Sequence, residues 1–340
     1  MTERQATMNS RVGVGVTPFH SEADVTIRLA VRAEELGYDR FATAEGWTQD
    51  ALVLLAQIAG LTSRIGLATG VLPVWSRTPA AIAMAAASLQ RACDGRFALG
   101  LGASSPPLVE GLHGLTWQQP VERMRTTLVA VRALLEGARL PLERENVRPL
   151  RLGAPPEQPV AILLAALAPS SVRLAGELAD GWLPFLWARS RLSEGRALLA
   201  EGEARAEESS PTTVAASVPL AIAEDEEASR QIAAGWLLAY LTRMGPLYPR
   251  MLSERFGFAH EVEALLAANA DGGPPRLPPA AERLAREVTV MGTYDEAPGV
   301  VCLWLEAGAD SIDLVLPLGV PEQQLCEMLA AAALTFRGGT

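Results

Sequence analysis

Short apolar runs alternate along the chain with longer segments in which hydrophobic residues recur every three or four positions. The apolar runs predict β-strands that are buried on both faces, and the longer segments predict amphipathic helices. The predicted strands are 12–17, 40–44, 65–72, 97–101, 160–165, 181–184, 214–222 and 311–316. The predicted helices are 21–36, 50–61, 79–93, 121–136, 170–179, 191–208 and 322–335.

Strict alternation of apolar strands and helices is typical of a parallel sheet covered by helices. Eight strands over this length favour a closed (β/α)8 TIM barrel, an α/β fold. The alternative is an open doubly wound sheet, which often carries a dinucleotide fingerprint. The GxG at Gly100 and Gly102 lacks the third glycine of that fingerprint and lies in the middle of the chain, so we predict the barrel.

Two segments exceed what a plain barrel needs. The proline-rich stretch 137–159 is predicted to be an excursion, and residues from about 225 to 286 a helical insertion. We therefore expect a flexible N-terminus at 1–11 followed by one barrel domain over 12–340.

Composition and charge exclude several function classes. Hydrophobic residues make up 49% of the 340 residues, enough for a large core, and the net charge of −10 argues against nucleic-acid binding. Three scattered cysteines without a CxxC pair indicate neither a disulfide framework nor a zinc site, and no other metal-ligand spacing occurs. The polar N-terminus and the short apolar runs predict no signal segment and no membrane span, so the cytoplasm is the expected location.

The residues that follow the predicted strands are small or aromatic and carry few charges. The clearest example is the segment 96–106, an apolar strand that opens into a glycine- and serine-bearing loop. In a barrel the chemistry takes place at the carboxyl ends of the strands. This rim suits a flat, largely apolar ring. No GxSxG motif is present and the three histidines are scattered, which argues against a hydrolase triad.

Several motifs in order resemble the bacterial luciferase-like superfamily. They are Leu36-Gly37-Tyr38-Asp39-Arg40, Glu45-Gly46-Trp47, the run 64–71, Asp94-Gly95-Arg96-Phe97 with the glycine loop, the run 109–114 and the run 174–184. The match extends from about residue 12 to residue 187, and a looser one covers 236–268. The chain is most similar to the branch that uses the deazaflavin coenzyme F-420, whereas other branches use reduced FMN with oxygen.

The resemblance implies a coenzyme ring across the carboxyl face of the barrel and a non-prolyl cis peptide at Gly70–Val71. It places the phosphate near Ala168, at the start of the following helix, where Ser170 or Ser171 is alternatively a plain N-cap. Arg123 and Arg125 are expected to be structural, with Glu110 as an ion-pair partner. The residues assigned to the coenzyme are Thr43, Trp47, Thr69, Gly70, Val71, Gly102, Ala103, Ser104, Ala168, Ser170 and Ser171.

The chain departs from the family where proton chemistry is concerned. Some deazaflavin dehydrogenases of the family carry a histidine after the second strand and a glutamate in the glycine loop. Here Glu45-Gly46 and Ser104-Ser105 stand at those positions. Glu45 and His20 are the candidate catalytic residues. The alternative for Glu45 is a carboxylate bound to a backbone amide or an arginine. The alternative for His20 is a polar residue on the rim, and that for Trp47 is a core residue that fills space beneath its loop.

The resemblance implies an oxidoreductase that transfers a hydride between coenzyme F-420 and a small organic substrate. The missing histidine favours reduction of C=C or C=N over oxidation. One alternative is a monooxygenase that uses reduced FMN and oxygen, and another is a barrel that binds a coenzyme or a partner without turnover. A homodimer is expected from the family and from the alanine-rich exterior.

Overall fold

Eight parallel strands close into a barrel in the computed structural model, which describes residues 12–140, 146–206 and 210–333. The barrel strands are β1 (Val12–Val16), β2 (Arg40–Thr43), β3 (Gly66–Thr69), β5 (Phe97–Gly102), β6 (Ala161–Ala165), β7 (Gly181–Leu183), β8 (Thr213–Ala223) and β10 (Ser311–Val315). They follow one another around the barrel in that order, and β10 pairs with both β8 and β1 to close it. The predicted TIM barrel is confirmed.

Helices connect the strands and cover the outside of the barrel. They are α1 (Ala23–Leu36), α2 (Ala51–Ala59), α3 (Pro79–Ala92), α4 (Pro106–Gly111), α5 (Pro120–Leu135), α6 (Pro169–Leu178), α7 (Leu192–Glu203), α8 (Glu226–Arg243), α9 (Leu247–Arg250), α10 (Ala259–Ala268), α11 (Glu282–Val288), α12 (Ala297–Glu306) and α13 (Glu322–Ala332). A π-helical turn (Met251–Arg255) follows α9. Burial of their apolar faces against the strands supplies most of the core.

Small side chains fill the middle of the barrel. A separate buried cluster consists of Ala42, Ala68, Ala98, Ala161, Leu163, Leu183 and Ala215. At the level of Gly13 the side chains of Arg40 and Asp313 form a buried ion pair of 2.8 Å. A Cβ on Gly13 would lie 2.2 Å from Asp313 Oδ1, so only glycine leaves room for this pair. The interior is therefore filled by side chains, and in a barrel of this kind a ligand binds at the carboxyl ends of the strands.

Two short strands and two helices, α4 and α12, depart from the predicted elements. The predicted third strand, 65–72, divides into β3 and the two-residue strand β4 (Leu72–Pro73), which pairs with β5. Strand β9 (Val290–Thr293) pairs with the last residues of β8 outside the closed barrel, and α12 follows it. β4 is separated from β3 by Gly70 and Val71, and both β9 and α12 lie between the predicted insertion and the last predicted strand, where no element was predicted.

The predicted helical insertion, 225–286, contains α8, α9, the π-helical turn, α10 and most of α11. The predicted flexible N-terminus, 1–11, lies outside the described residues, as do residues 141–145 of the predicted excursion.

Candidate active site

The carboxyl ends of β2 and β3 meet at the peptide that joins Gly70 to Val71. That bond is cis, as the resemblance implies. The Gly70 amide donates to the Thr43 carbonyl at 2.8 Å, and the Glu45 amide donates to the Val71 carbonyl at 3.0 Å. These two bonds attach the β2 loop to the end of β3, so the predicted binding residues Thr43, Gly70 and Val71 lie together at the barrel mouth.

The glycine loop after β5 approaches Val71 from the other side. A Cβ on Gly102 would lie 2.6 Å from Val71 Cγ2 and 3.5 Å from Ala165 Cβ, so glycine is required for this close approach. The Trp75 indole donates to the Ala103 carbonyl at 2.7 Å and holds the loop. Ser104 adopts a left-handed conformation with φ +66°, which non-glycine residues seldom adopt outside tight turns and binding sites.

The two predicted threonines differ in their hydrogen bonding. The Thr69 hydroxyl donates to the Gly100 carbonyl at 2.7 Å and accepts from the Gly100 amide at 2.8 Å, so it joins β3 to β5. The Thr43 hydroxyl is buried and has no hydrogen-bond partner within the described ranges. A buried hydroxyl is normally paired. Thr43 is therefore the better suited of the two to bind a ligand.

The start of α6 provides free amides. Ala168 is the N-cap residue and has no side chain that caps the helix, so neither Ser170 nor Ser171 is the N-cap. The Ser171 hydroxyl donates to the Ala168 carbonyl at 2.9 Å, whereas Ser170 is exposed. Amides at the start of an uncapped helix, together with the helix dipole, favour an anion.

Arg255 reaches this loop from the π-helical turn, and sequence reasoning did not assign it to the site. Its guanidinium donates to the Leu167 carbonyl at 2.8 Å and lies over the Trp187 ring, with Cζ 4.4 Å from the centroid. Burial lowers the pKa of Arg255, more than the nearby Glu194 raises it. Among the described residues no carboxylate lies within salt-bridge distance of Arg255, which leaves a cation beside the free amides of α6.

The arginines after the glycine loop have separate roles. Arg125 forms a two-bond ion pair with Glu177, at 2.5 and 2.6 Å, and is structural as expected. Arg123 donates to the Val74 carbonyl at 3.3 Å, and its Cζ lies 5.4 Å from the Trp75 centroid. The expected pairing with Glu110 is wrong, because the Glu110 carboxylate accepts from the Trp117 amide instead.

Glu45 lies in a polar network at the start of α2. Its carboxylate contacts the Arg77 guanidinium at 2.5 Å, accepts from the Ser76 hydroxyl at 3.1 Å and accepts from the Ala51 amide at 3.3 Å. Arg77 also bonds Asp50, which caps α2. The Glu45 side chain is only 7% exposed. These contacts correspond to the expected alternative, a carboxylate held by an arginine and a backbone amide.

His20 lies on the loop after β1. Its Nδ1 is 3.2 Å from the Thr17 hydroxyl, and its buried Nε2 has no partner of hydrogen-bonding geometry among the residues described. Burial lowers the pKa of His20, and the nearby carbonyls of Thr17 and Pro317 offset part of that effect. The imidazole is therefore neutral near pH 7.

Aromatic side chains cover the other side of the mouth. Trp47 is 48% exposed, which rules out core filler, and its ring meets that of Phe19 edge to face at 4.8 Å between centroids. The Phe19 ring also contacts the Tyr240 ring, with 6.2 Å between centroids, and the Phe185 centroid lies 4.7 Å from that of Tyr240. We call the group the aromatic cage. Its members are Phe19, Trp47, Phe185, Trp236, Tyr240 and Tyr248.

Of the cage members, sequence reasoning assigned only Trp47 to the coenzyme site. Trp236 and Tyr240 are four residues apart and so share a face of α8, which was the available signal. Phe185 follows β7, and its meeting with α8 depends on how the insertion folds over the mouth.

These residues fit a flat ring with an anionic tail. Val71 packs directly on Gly102 and, with Ala165, forms a small apolar surface that we call the cradle. Within the described ranges the Thr43 hydroxyl has no hydrogen-bond partner and Arg255 has no carboxylate partner. Across the described residues no three His, Cys, Asp or Glu side chains form a candidate metal site. None of the described helices has the length and apolar character that a membrane span requires.

Comparison with known proteins adds both sequence and structural relatives. A family model described as luciferase-like monooxygenase matches residues 5–311. A putative coenzyme F-420-dependent oxidoreductase of Mycobacterium tuberculosis is 30% identical over 334 residues, covering 91% of this chain and 94% of the relative.

Two solved structures have the same fold at low identity. The F-420-dependent tetrahydromethanopterin reductase of Methanopyrus kandleri superposes with a TM-score of 0.74 at 20% identity, covering 94% of this chain and 97% of that one. The FMN-bound oxygenating constituent of 3,6-diketocamphane monooxygenase from Pseudomonas putida superposes with a TM-score of 0.65 at 19% identity, covering 96% and 98%.

Proposed function

This chain belongs to the luciferase-like monooxygenase family, and we propose that it transfers a hydride between coenzyme F-420 and a small organic substrate. The observation that carries the proposal is the packing of Val71 directly on Gly102, where a Cβ would lie 2.6 Å from Val71 Cγ2, because it fixes Val71 as an apolar surface at the barrel mouth. The choice of F-420 over FMN rests on the mycobacterial relative, whose name specifies that coenzyme. When bound, the deazaflavin supplies a hydride acceptor or donor that does not activate oxygen.

The residues of the cradle bind and orient the ring in this proposal. Val71 and Gly102 provide a flat apolar surface, and the Thr43 hydroxyl offers a hydrogen bond to a polar atom of the ring or its chain. Ala103 and Ser104 of the glycine loop flank the chain that leads to the phosphate. Holding both reactants in one geometry provides much of the rate enhancement for a transfer of this kind.

We assign the phosphate to the start of α6. Ser170 and the free amides beside it donate to the anion, and Arg255 neutralises its charge from the opposite side of the loop. Arg123, close to the glycine loop, is a second cation for which the described residues provide no carboxylate within salt-bridge distance. A neutral ligand would leave these cations uncompensated, which supports an anionic coenzyme.

We favour reduction of the substrate over oxidation because Glu45-Gly46 stands where some deazaflavin dehydrogenases carry their histidine base. Glu45 is held by Arg77 and Ser76, so we infer that it positions the β2 loop. His20 is neutral near pH 7, so it would accept a proton rather than donate one, and the proton that balances the hydride in a reduction would come from water at the mouth. The C=C or C=N bond of an activated substrate is the proposed point of reduction.

A single-turnover experiment tests the proposal. Purified protein is mixed anaerobically with reduced F-420 and a panel of activated alkenes and imines, and the absorbance of the deazaflavin is followed. We expect reoxidation of the coenzyme that depends on both protein and substrate. Turnover with reduced FMN and oxygen consumption, without any reaction of F-420, would instead establish the monooxygenase alternative.

A further inference from the structure

The barrel mouth has two chemically different sides. The small residues that we assign to the coenzyme end β2, β3, β5 and β6, which are neighbours in the barrel. The aromatic cage stands mainly over the remaining strands, because Phe19 follows β1, Phe185 follows β7, and α8 follows β8. A substrate beside the coenzyme would therefore lie against the cage.

The cage is closed by two tyrosines. The rings of Tyr240 and Tyr248 are 5.1 Å apart and meet at 78°, and Phe185 contacts both, at 4.7 and 6.3 Å. Tyr240 is only 5% exposed, and Tyr248 is half-buried. The ring centroid of Trp236 lies 6.0 Å from that of Tyr240, so Trp236 belongs to the same apolar cluster.

Neither phenol hydroxyl has a hydrogen-bond partner among the residues that the structure describes. Several other buried aromatic side chains do have partners, whereas the buried Trp304 indole nitrogen has none among the described residues. The Tyr38 hydroxyl donates to the Leu329 carbonyl at 2.8 Å, and the Trp236 indole donates to the Leu220 carbonyl at 3.1 Å. Neither hydroxyl oxygen is among the fully buried unpartnered atoms of the described residues, so both are accessible and can donate to an acceptor atom of a ligand at the mouth.

The charge state of the cage narrows the class of that ligand. Burial raises the pKa of Tyr248, and burial together with the neighbouring Tyr248 raises the pKa of Tyr240, so both phenols stay protonated over the ordinary pH range. Protonated phenols offer hydrogen-bond donors. A cation could stack on the rings, but it has no acceptor for the two hydroxyls.

We propose that the hydroxyls of Tyr240 and Tyr248 bind the carbonyl oxygen or imine nitrogen of a small uncharged substrate that lies against the aromatic cage, an inference that rests on the proposed function. The rings supply the apolar contacts, and the two donors hold the acceptor atom. Hydrogen bonds from the enzyme to such an atom also withdraw electrons from the adjacent double bond, which is the polarity that reduction requires.

Binding of two isosteric probes tests the inference without coenzyme. Acetophenone carries a carbonyl oxygen, and α-methylstyrene replaces it with a methylene group of the same shape. Calorimetric titration of the wild-type protein should show on the order of tenfold tighter binding of acetophenone, the size expected for hydrogen bonds to a neutral acceptor. The variants are Tyr240→Phe, Tyr248→Phe and the double substitution, with Tyr294→Phe, outside the cage, as control.

We expect each single variant to reduce the preference for acetophenone, and the double variant to abolish it while α-methylstyrene binds as before. Equal binding of the two probes by the wild type, or an unchanged preference in the double variant, would overturn the inference. The single variants serve if the double variant fails to fold. Titration with F-420 is done in parallel, so that failure of the coenzyme proposal, seen as no F-420 binding, is distinguished from failure of this one.

Discussion

The guanidinium of Arg255 lies over the indole ring of Trp187, with Cζ 4.4 Å from the ring centroid. This contact and the bond to the Leu167 carbonyl hold a cation at the loop between β6 and α6. Trp187 is itself fixed, because its indole donates to the Arg191 carbonyl at 2.9 Å. The cation is therefore positioned before any anion arrives, which lowers the ordering cost of binding.

Arg255→Met is the first test of this arrangement. Methionine keeps an unbranched apolar stem against Trp187 but removes the charge. We expect the affinity for F-420 to fall by about tenfold to a hundredfold, the value of a hydrogen bond to a charged group. Calorimetric titration measures it.

The specificity of that effect is checked with a shortened ligand and a control variant. A deazaflavin without the phosphate should bind Arg255→Met as well as it binds the wild type. Arg276→Met, which removes an exposed arginine paired with Asp271, should leave F-420 affinity unchanged. An equal loss for both ligands would place Arg255 outside the phosphate site.

Gly102→Ala tests the cradle. The added Cβ would lie 2.6 Å from Val71 Cγ2, and the stiff valine side chain has little freedom to move away. We expect at least about tenfold weaker coenzyme binding with a loss of about 1–3 kcal/mol in stability, the usual range for overpacking. Gly111→Ala is the matched control, since a Cβ there meets nothing within 4 Å. Full coenzyme affinity in the Gly102 variant would refute the cradle.

Glu45→Gln separates a positioning role from proton transfer. The substitution keeps a hydrogen-bonding side chain but removes the charge that faces Arg77, so we expect a loss of about 2 kcal/mol in the free energy of unfolding. Urea denaturation measures this loss, with Glu110→Gln as the exposed control. If Glu45 only positions the loop, the rate of hydride transfer in the folded variant changes by less than about tenfold. A rate loss of about a hundredfold or more at unchanged stability would instead identify Glu45 as the proton donor.

The lowered pKa of His20 predicts a particular dependence of stability on pH. The unfolded chain takes up a proton on this histidine near pH 6.5, whereas the folded protein does so only at lower pH. The unfolded state then binds more protons between those two values, so the free energy of unfolding falls as the pH drops through this window. In His20→Asn the free energy of unfolding should fall less over this pH window. His260 is exposed, so His260→Gln should show the same pH dependence as the wild type.

The barrel and the coenzyme side of its mouth could be predicted from the sequence for a local reason. The residues at the end of a strand come directly after its apolar run in the sequence. The positions of three apolar runs therefore place Thr43, Gly70 and Gly102 at the ends of their strands. Because parallel strands in a barrel end on one face, adjacency in space follows from the fold class alone.

The remainder of the site depends on contacts between distant segments. Arg255 meets Leu167 across 88 positions of the chain, and Phe185 meets Tyr240 only because α8 lies over the mouth. The ion pair of Glu45 with Arg77 has the same origin, since Arg77 belongs to the loop before α3. No local sequence pattern encodes which cation pairs with which carboxylate. For this reason the expected ion pair between Glu110 and an arginine after the glycine loop was wrong.

The central claim is that the mouth of this barrel binds coenzyme F-420. Equilibrium titration of the purified protein with reduced F-420 and, separately, with reduced FMN under anaerobic conditions tests it most directly. We predict saturable binding of F-420 that weakens in Arg255→Met and Gly102→Ala, together with much weaker binding of FMN. Tight binding of FMN without measurable affinity for F-420 would contradict the claim.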